Sequence, residues 1–290
     1  MKVWVLYVIC SALALGLYDF CKKQAVRENS TLPVLFMATL CGSAFYLLLS
    51  LCTGQLGAWQ CTPRQYLLVW VKALIVGSSW LCAYRALTTL PLSIAAPIRA
   101  TSPLWVLIGA TLLYREVPSL GEGVGMALVL VGYCFFTLLG HKEGFAFRNS
   151  PEMRLVILGT LLGAASGLYD KFLLNTLAIP AATVQLHFSV NLVVLFGVAW
   201  LVRRATVPVR PAQWRWSIPA TGVLLIVADW CYFHGVSLPD APISQVALVR
   251  RCSCIVTFLL SAFVLKEKNI RAKAVALVFI LVGVALMALY

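Results

Sequence analysis

The sequence predicts an all-α polytopic membrane protein, ten transmembrane helices arranged as two inverted five-helix repeats. Three observations carry this. First, its 290 residues are 61% hydrophobic and only 11% charged, with a mean hydropathy of +0.92, whereas a soluble chain carries roughly a quarter charged residues. Second, the apolar runs divide into ten stretches of about 20 residues, the length that carries a helix across a hydrocarbon core of about 30 Å. Third, Gly16-Leu17-Tyr18-Asp19 returns as Gly167-Leu168-Tyr169-Asp170. The same shift of 151 residues carries Arg99 onto Arg250, Arg115-Glu116 onto Lys266-Glu267 and Gly132 onto Gly283. Five spans per half is an odd number, so the second half enters the membrane from the side opposite to the first. The repeats are antiparallel by parity alone.

In chain order the spans are Val3 to Lys22, Leu32 to Cys52, Tyr66 to Leu87, Leu92 to Tyr114 and Leu120 to Leu139, then Met153 to Leu174, Ala181 to Val202, Trp216 to Leu238, Ile243 to Leu265 and Ala272 to Tyr290. The first run follows a single Lys2 and lacks a small-residue cleavage site leading into a polar domain, so it reads as a retained span rather than a signal peptide. Pro33, Pro63, Pro91, Pro118, Pro151, Pro180, Pro211 and Pro242 punctuate the joins, where helices stop or start. The longest join, Gly140 to Glu152, separates the copies. The domains are therefore residues 1–140, a linker at 141–152, and residues 153–290, with no room for a soluble domain.

The net charge of +13 does not describe a nucleic-acid binder, because the cations sit singly within apolar runs or in short clusters between them. Near span ends, the side of the N-terminus carries Lys2, Arg64 and Arg115. The opposite side carries Lys22, Lys23, Arg27, Lys142, Arg148, Arg154, Arg203, Arg204, Arg210, Arg215, Lys266, Lys268, Arg271 and Lys273. The positive-inside rule then places both termini outside the cytoplasm. The ten cysteines fall almost entirely in or beside apolar runs, with no CxxC pair, and act as small hydrophobes. The three histidines have no regular spacing, so no metal or other cofactor is expected.

Ionisable residues inside spans mark function. Arg99 lies seven residues into the fourth span, about 10 Å deep at 1.5 Å per residue, and Arg250 lies equally deep from the other side. A guanidinium keeps its proton, so each needs a carboxylate, carbonyls, water or an anionic ligand. Asp19 sits about one turn from the far surface, with Lys22 and Lys23 at i+3 and i+4, so a self-neutralised helix end and a functional carboxylate both fit. Asp170 has no partner on its own helix and needs one from another helix, or a proton. The eighth span adds Asp229, Trp230, Tyr232 and His234. Its counterpart, the third, adds Lys72, Trp80, Tyr84 and Arg85. Tyr18, Tyr84, Tyr169, Trp80 and Trp230 stand beside these polar residues and are read as cavity lining. His187 with Gln185 is read as hydrogen-bonded packing, Glu116 and Glu267 as helix-end salt bridges with Arg115 and Lys266, and the glycine stripes Gly121, Gly125, Gly132 and Gly159, Gly163, Gly167 as packing.

The run Ala96-Pro97-Ile98-Arg99-Ala100-Thr101-Ser102-Pro103-Leu104, leading to Leu113-Tyr114-Arg115-Glu116 and then Gly125 and Gly132, resembles the fourth and fifth spans of the EamA-type branch of the drug/metabolite transporter superfamily. Ala247 through Arg250 to Leu265-Lys266-Glu267 and Gly283 is similar but lacks a proline to match Pro103. The resemblance extends over essentially the whole chain. It implies a central cavity built mainly from the first, third and fourth helices of each half, and alternating-access transport of small metabolites, often export. Family substrates range over amino acids, sugars, nucleotide sugars, phosphorylated sugars and drugs. The family is usually drawn with cytoplasmic termini, opposite to the cation count.

The expectation is an inner-membrane permease for a small anionic or zwitterionic organic solute, Arg99 and Arg250 holding its acidic group and Asp170 or Asp229 exchanging a proton. Its partners would be that solute, the bilayer, protons and at most a second copy of the chain. A flippase for a lipid-linked sugar is the alternative within transport. An intramembrane lipid-modifying enzyme would need clustered acids or a His-acid pair at helical spacing, and the sequence has neither.

Overall fold

The computed structural model describes residues 2–26, 29–54, 56–87, 98–99, 101–139, 151–206, 213–253, 255–256, 259–260, 275, 278–283 and 285–286, with backbone alone at residues 23, 56, 84, 87, 133 and 136–139. Its helices are α1 (Val3–Ala25), α2 (Thr31–Cys52), α3 (Pro63–Leu87), α4 (Ser102–Tyr114), α5 (Leu120–Leu139), α6 (Pro151–Lys171), α7 (Ala181–Thr206), α8 (Ser217–Ser237) and α9 (Ile243–Arg251). A short 3-10 turn at Leu56–Trp59 precedes α3, and a π-helical turn at Phe172–Thr176 extends α6. Residues 278–283 are helical within the tenth expected span. Parts of the fourth, ninth and tenth expected spans lie outside the described residues.

Helix starts follow local chemistry. Ser119 and Glu122 cap α5 reciprocally, Ser119 N–H donating to Glu122 Oε2 at 2.8 Å and Glu122 N–H to Ser119 Oγ at 3.2 Å. Thr62 and Gln65 do the same before α3, at 3.0 and 3.3 Å. Both are capping boxes that satisfy amides with no partner inside the helix. Pro63 and Pro151 begin α3 and α6, where a missing N–H costs nothing.

Six of these helices contain a stretch long and apolar enough to cross a membrane: α1, α2, α3, α6 with its π turn, α7 and α8. Apolar side chains such as Leu48, Leu67, Val198 and Leu201 lie exposed on their outer faces, as lipid contact requires. The chain is a multi-pass membrane protein.

Side-chain contacts fix the helix directions. α1 runs antiparallel to α8: Ser11 Oγ donates to Ala228 O at 2.7 Å, and Arg215 reaches Gln24 O at 3.4 Å. α3 runs antiparallel to α6, through Ser79 to Gly159 O at 2.6 Å and Tyr169 to Leu68 O at 3.1 Å. α2 and α7 also oppose each other, Phe36 stacking on Trp200 while Tyr46 packs with Leu186. The pairs map onto one another when the halves are exchanged: α1 with α8 mirrors α6 with α3, and α2 with α8 mirrors α7 with α3. Close backbone approach holds the α2–α8 seam, since a Cβ added to Gly222 would fall 2.1 Å from Ala38 O. The best-buried residues of the main core, including Trp4, Leu173, Phe233 and Ile243, gather toward the face of the N-terminus. The polar interior lies toward the other face.

Candidate functional site

A cavity of about 470 Å³ occupies the centre of the bundle. It is lined by Leu15, Tyr18, Asp19 and Lys22 of α1, by Lys72, Val76, Ser79, Trp80 and Ala83 of α3, and by Arg99 with the start of α4. The second half contributes α6 from Val156 to Asp170, Phe188 of α7, Leu225 to Phe233 of α8, and Ala247, Arg250, Arg251 and Ser253. Since Lys22, Ala83 and Val156 lie near helix ends on the basic face opposite the N-terminus, the cavity reaches that face. Gly159, Gly163 and Gly167 line it and also serve packing, a Cβ on Gly159 falling 3.1 Å from Ser79 O.

The other end is closed in layers. The floor is Lys72, 2% exposed, whose ammonium is ion-paired with Asp170 Oδ1 and lies 4.3 and 4.8 Å from the ring centres of Phe188 and Phe233. Tyr232 donates to the other Asp170 oxygen at 3.1 Å. Below it, Tyr114 donates to Leu168 O at 2.7 Å. At the outer surface the Glu116 carboxylate accepts from Ile243 N–H at 3.0 Å and from the Ser244 N–H and Oγ at 3.3 and 3.1 Å. It also pairs with Lys171. Glu116 thus caps α9 at its positive end and ties the first half to the second. Its ion-pair partner is Lys171 rather than its neighbour Arg115, whose left-handed backbone, φ 55°, ends α4.

Above the floor the charges form a second group. Arg250 is ion-paired with Asp229 and lies over the Tyr232 ring, 4.0 Å from its centre. The Arg250 Nε is buried and has no hydrogen-bond partner among the described residues. Nearer the mouth, Asp19 lies in the field of Lys22, Arg99, Arg251 and Arg250, and the Lys22 ammonium lies 5.2 Å from the centre of the Tyr18 ring. Among described lining residues, five cations (Lys22, Lys72, Arg99, Arg250, Arg251) face three carboxylates (Asp19, Asp170, Asp229).

Of the residues singled out in the sequence, Tyr18, Asp19, Trp80, Arg99, Asp170, Asp229 and Arg250 line this one cavity. Two fall outside it. Tyr169 turns away, its hydroxyl held by Leu68 O and its ring against Phe172. Trp230 is 37% exposed and packs on the outer side of α8 against His234 and Tyr7, at 4.1 and 6.3 Å between centres. On a helix, residues adjacent to Asp170 and Asp229 point elsewhere when the carboxylates face inward. The Tyr84 side chain lies outside the described residues. Lys72 and Tyr232 carry the floor although sequence reasoning left them off the site, and a cation nine residues inside α3 was the available signal.

The comparisons with known proteins bear on this architecture. A protein of known crystal structure superposes with a TM-score of 0.82 over 99% of both chains at 15% identity, a likeness of fold. The family model of the EamA-like transporter family matches residues 2–138 and again 151–289. The chain belongs to the EamA-like transporter family. The two matches divide it where the duplication does. This EamA-like chain is also 33% identical, over 87 residues, to the probable 4-amino-4-deoxy-L-arabinose-phosphoundecaprenol flippase subunit ArnE of Erwinia tasmaniensis, a match covering 28% of this chain and 81% of that one.

Proposed function

We propose that this EamA-like protein is a secondary transporter of the bacterial inner membrane that moves a small organic solute bearing an acidic group, by alternating exposure of one central cavity. The observation that carries this is Arg250: a part-buried guanidinium over an aromatic ring, its buried Nε–H without a partner among the described residues, inside a cavity whose described cations outnumber its carboxylates. A buried donor without an acceptor costs about 1–3 kcal/mol, and an anionic ligand would supply the acceptor. Arg99, nearer the mouth, would meet the solute first. A volume of about 470 Å³ suits a metabolite, small-molecule sites spanning roughly 300–1,000 Å³. Antiparallel halves are the design that lets one site open to either side. The mouth on one face and the layered closure on the other describe one end of that cycle.

A second reading has its own support, the likeness to a flippase subunit whose named substrate is a lipid-linked sugar phosphate. Its headgroup would meet the same cations. The test is thermal unfolding of the purified protein with sugar phosphates, carboxylates, amino acids and organic cations, since a ligand of the native state raises the Tm. A rise with soluble anions that disappears in Arg99→Ala and Arg250→Ala supports the first reading. A rise only with cations removes it, and proteoliposomes that flip a lipid-linked sugar while ignoring soluble anions select the second.

A further inference from the structure

A second, much smaller chamber lies beside the main cavity, between α2, α7 and α8. Its volume is about 10 Å³, room for one water or one bare small cation. Asp229 lines both spaces. Around the small one stand four more oxygen-bearing side chains, Thr39, Ser43, Gln185 and Ser189, all between 1% and 6% exposed.

Two of the four have spent their only proton elsewhere, and Gln185 has spent one of its two. The Thr39 hydroxyl donates to Leu35 O and Phe36 O at 2.8 and 3.0 Å, and the Ser189 hydroxyl to Leu186 O at 2.9 Å. The Gln185 amide nitrogen donates to Ile226 O at 3.4 Å. What remains around the chamber is mostly acceptor oxygen. Gln185 Oε1 and Ser43 Oγ are buried with no hydrogen-bond partner among the described residues. A water can donate to at most two of these five oxygen-bearing groups. A hard cation can engage more of them, because such ions take several oxygen ligands at once.

We propose that this chamber binds a monovalent cation of sodium's size, and that this ion, rather than a proton, couples to transport. The site stands on the chamber alone; the coupling rests on the anionic-solute reading given above. Arg250 holds Asp229 from the main cavity. An ion entering from the other side competes for that carboxylate and releases the guanidinium to an acidic solute. Ion and solute then strengthen each other's binding by the same factor, as linkage requires.

The experiment is thermal unfolding in sodium, potassium and choline chloride at equal ionic strength, first without solute. The expected result is a saturable, sodium-specific rise in Tm that is absent in Gln185→Leu and in the smaller change Ser43→Ala. Equal Tm in the three salts, or a sodium effect that survives both substitutions, overturns the site. With a sugar phosphate added, sodium should tighten its binding about tenfold, within the usual range of coupling. A sodium rise without any anion rise keeps the site and removes the solute reading and with it the coupling. An anion rise indifferent to sodium does the reverse.

Discussion

The two copies of Gly-Leu-Tyr-Asp began as one sequence and now occupy different environments. In the second copy Asp170 is 3% exposed, with one oxygen on Lys72 and the other on Tyr232, while Tyr169 has turned out of the cavity to Leu68 O. In the first, Tyr18 and Asp19 both line the cavity near its mouth. The glycines differ too. A Cβ on Gly16 would fall 2.4 Å from Val256 Cβ and 2.8 Å from Ser253 O, whereas on Gly167 the nearest atom is the Tyr232 hydroxyl at 3.8 Å. Identical local sequence therefore carries no fixed role. The partner helix decides, and α3 brings Lys72 to one copy while the start of α4 and the end of α9 bring arginines to the other.

The contrast can be broken most strongly at the aspartates. Asp170→Asn strands a buried ammonium and should cost about 3–5 kcal/mol, read as a large fall in Tm, whereas Asp19→Asn, at a carboxylate of intermediate exposure, should lower the Tm less. Replacing both floor partners, Lys72→Met with Asp170→Leu, should recover most of that loss, since a packed apolar pair often equals a buried ion pair; failure to recover would mean that the floor's charges hold the fold itself. Next come the glycines. Gly16→Ala should cost about 1–3 kcal/mol through overpacking and Gly167→Ala almost nothing, so equal Tm values for the two would refute the tight seam at α1. Glu116→Gln keeps the cap's shape but loses its charge, and about 1–2 kcal/mol is expected. The smallest effect is on binding. Asp19→Asn removes one of the three carboxylates lining the cavity and should tighten an anion about threefold, as loss of a like charge does.

The duplication, the six spans seen among the described residues and the antiparallel halves were legible because each depends on a count: residues per span, spans per half, residues between copies. The site was legible by residue type and less so by direction. That Asp170 needs a partner from another helix follows from its own helix, but which cation answers depends on α3 packing against α6 across the halves, and no local pattern encodes that. Trp230 shows the same limit, since its neighbour Asp229 faces inward and a step of one residue turns the ring toward the outside. Glu116 reads in the sequence as a helix-end salt bridge with Arg115; it ends a helix, but its partner is Lys171. Its further role, capping α9 of the other half, lies 127 residues away in sequence.

The floor has a consequence for how often each conformation is visited. At the repeat's own register, the positions matching Lys72 and Tyr232 are Val223 and Leu81, so exchanging the roles of the halves does not rebuild the Lys72–Asp170–Tyr232 contact on the opposite face. The two end states therefore differ in free energy. A gap of about 3 kcal/mol corresponds to roughly a hundredfold preference, enough to keep the empty carrier waiting with its mouth on the basic face. On the alternating-access reading proposed above, duplication provides two conformations, and the divergence of a few side chains gives the molecule a resting direction.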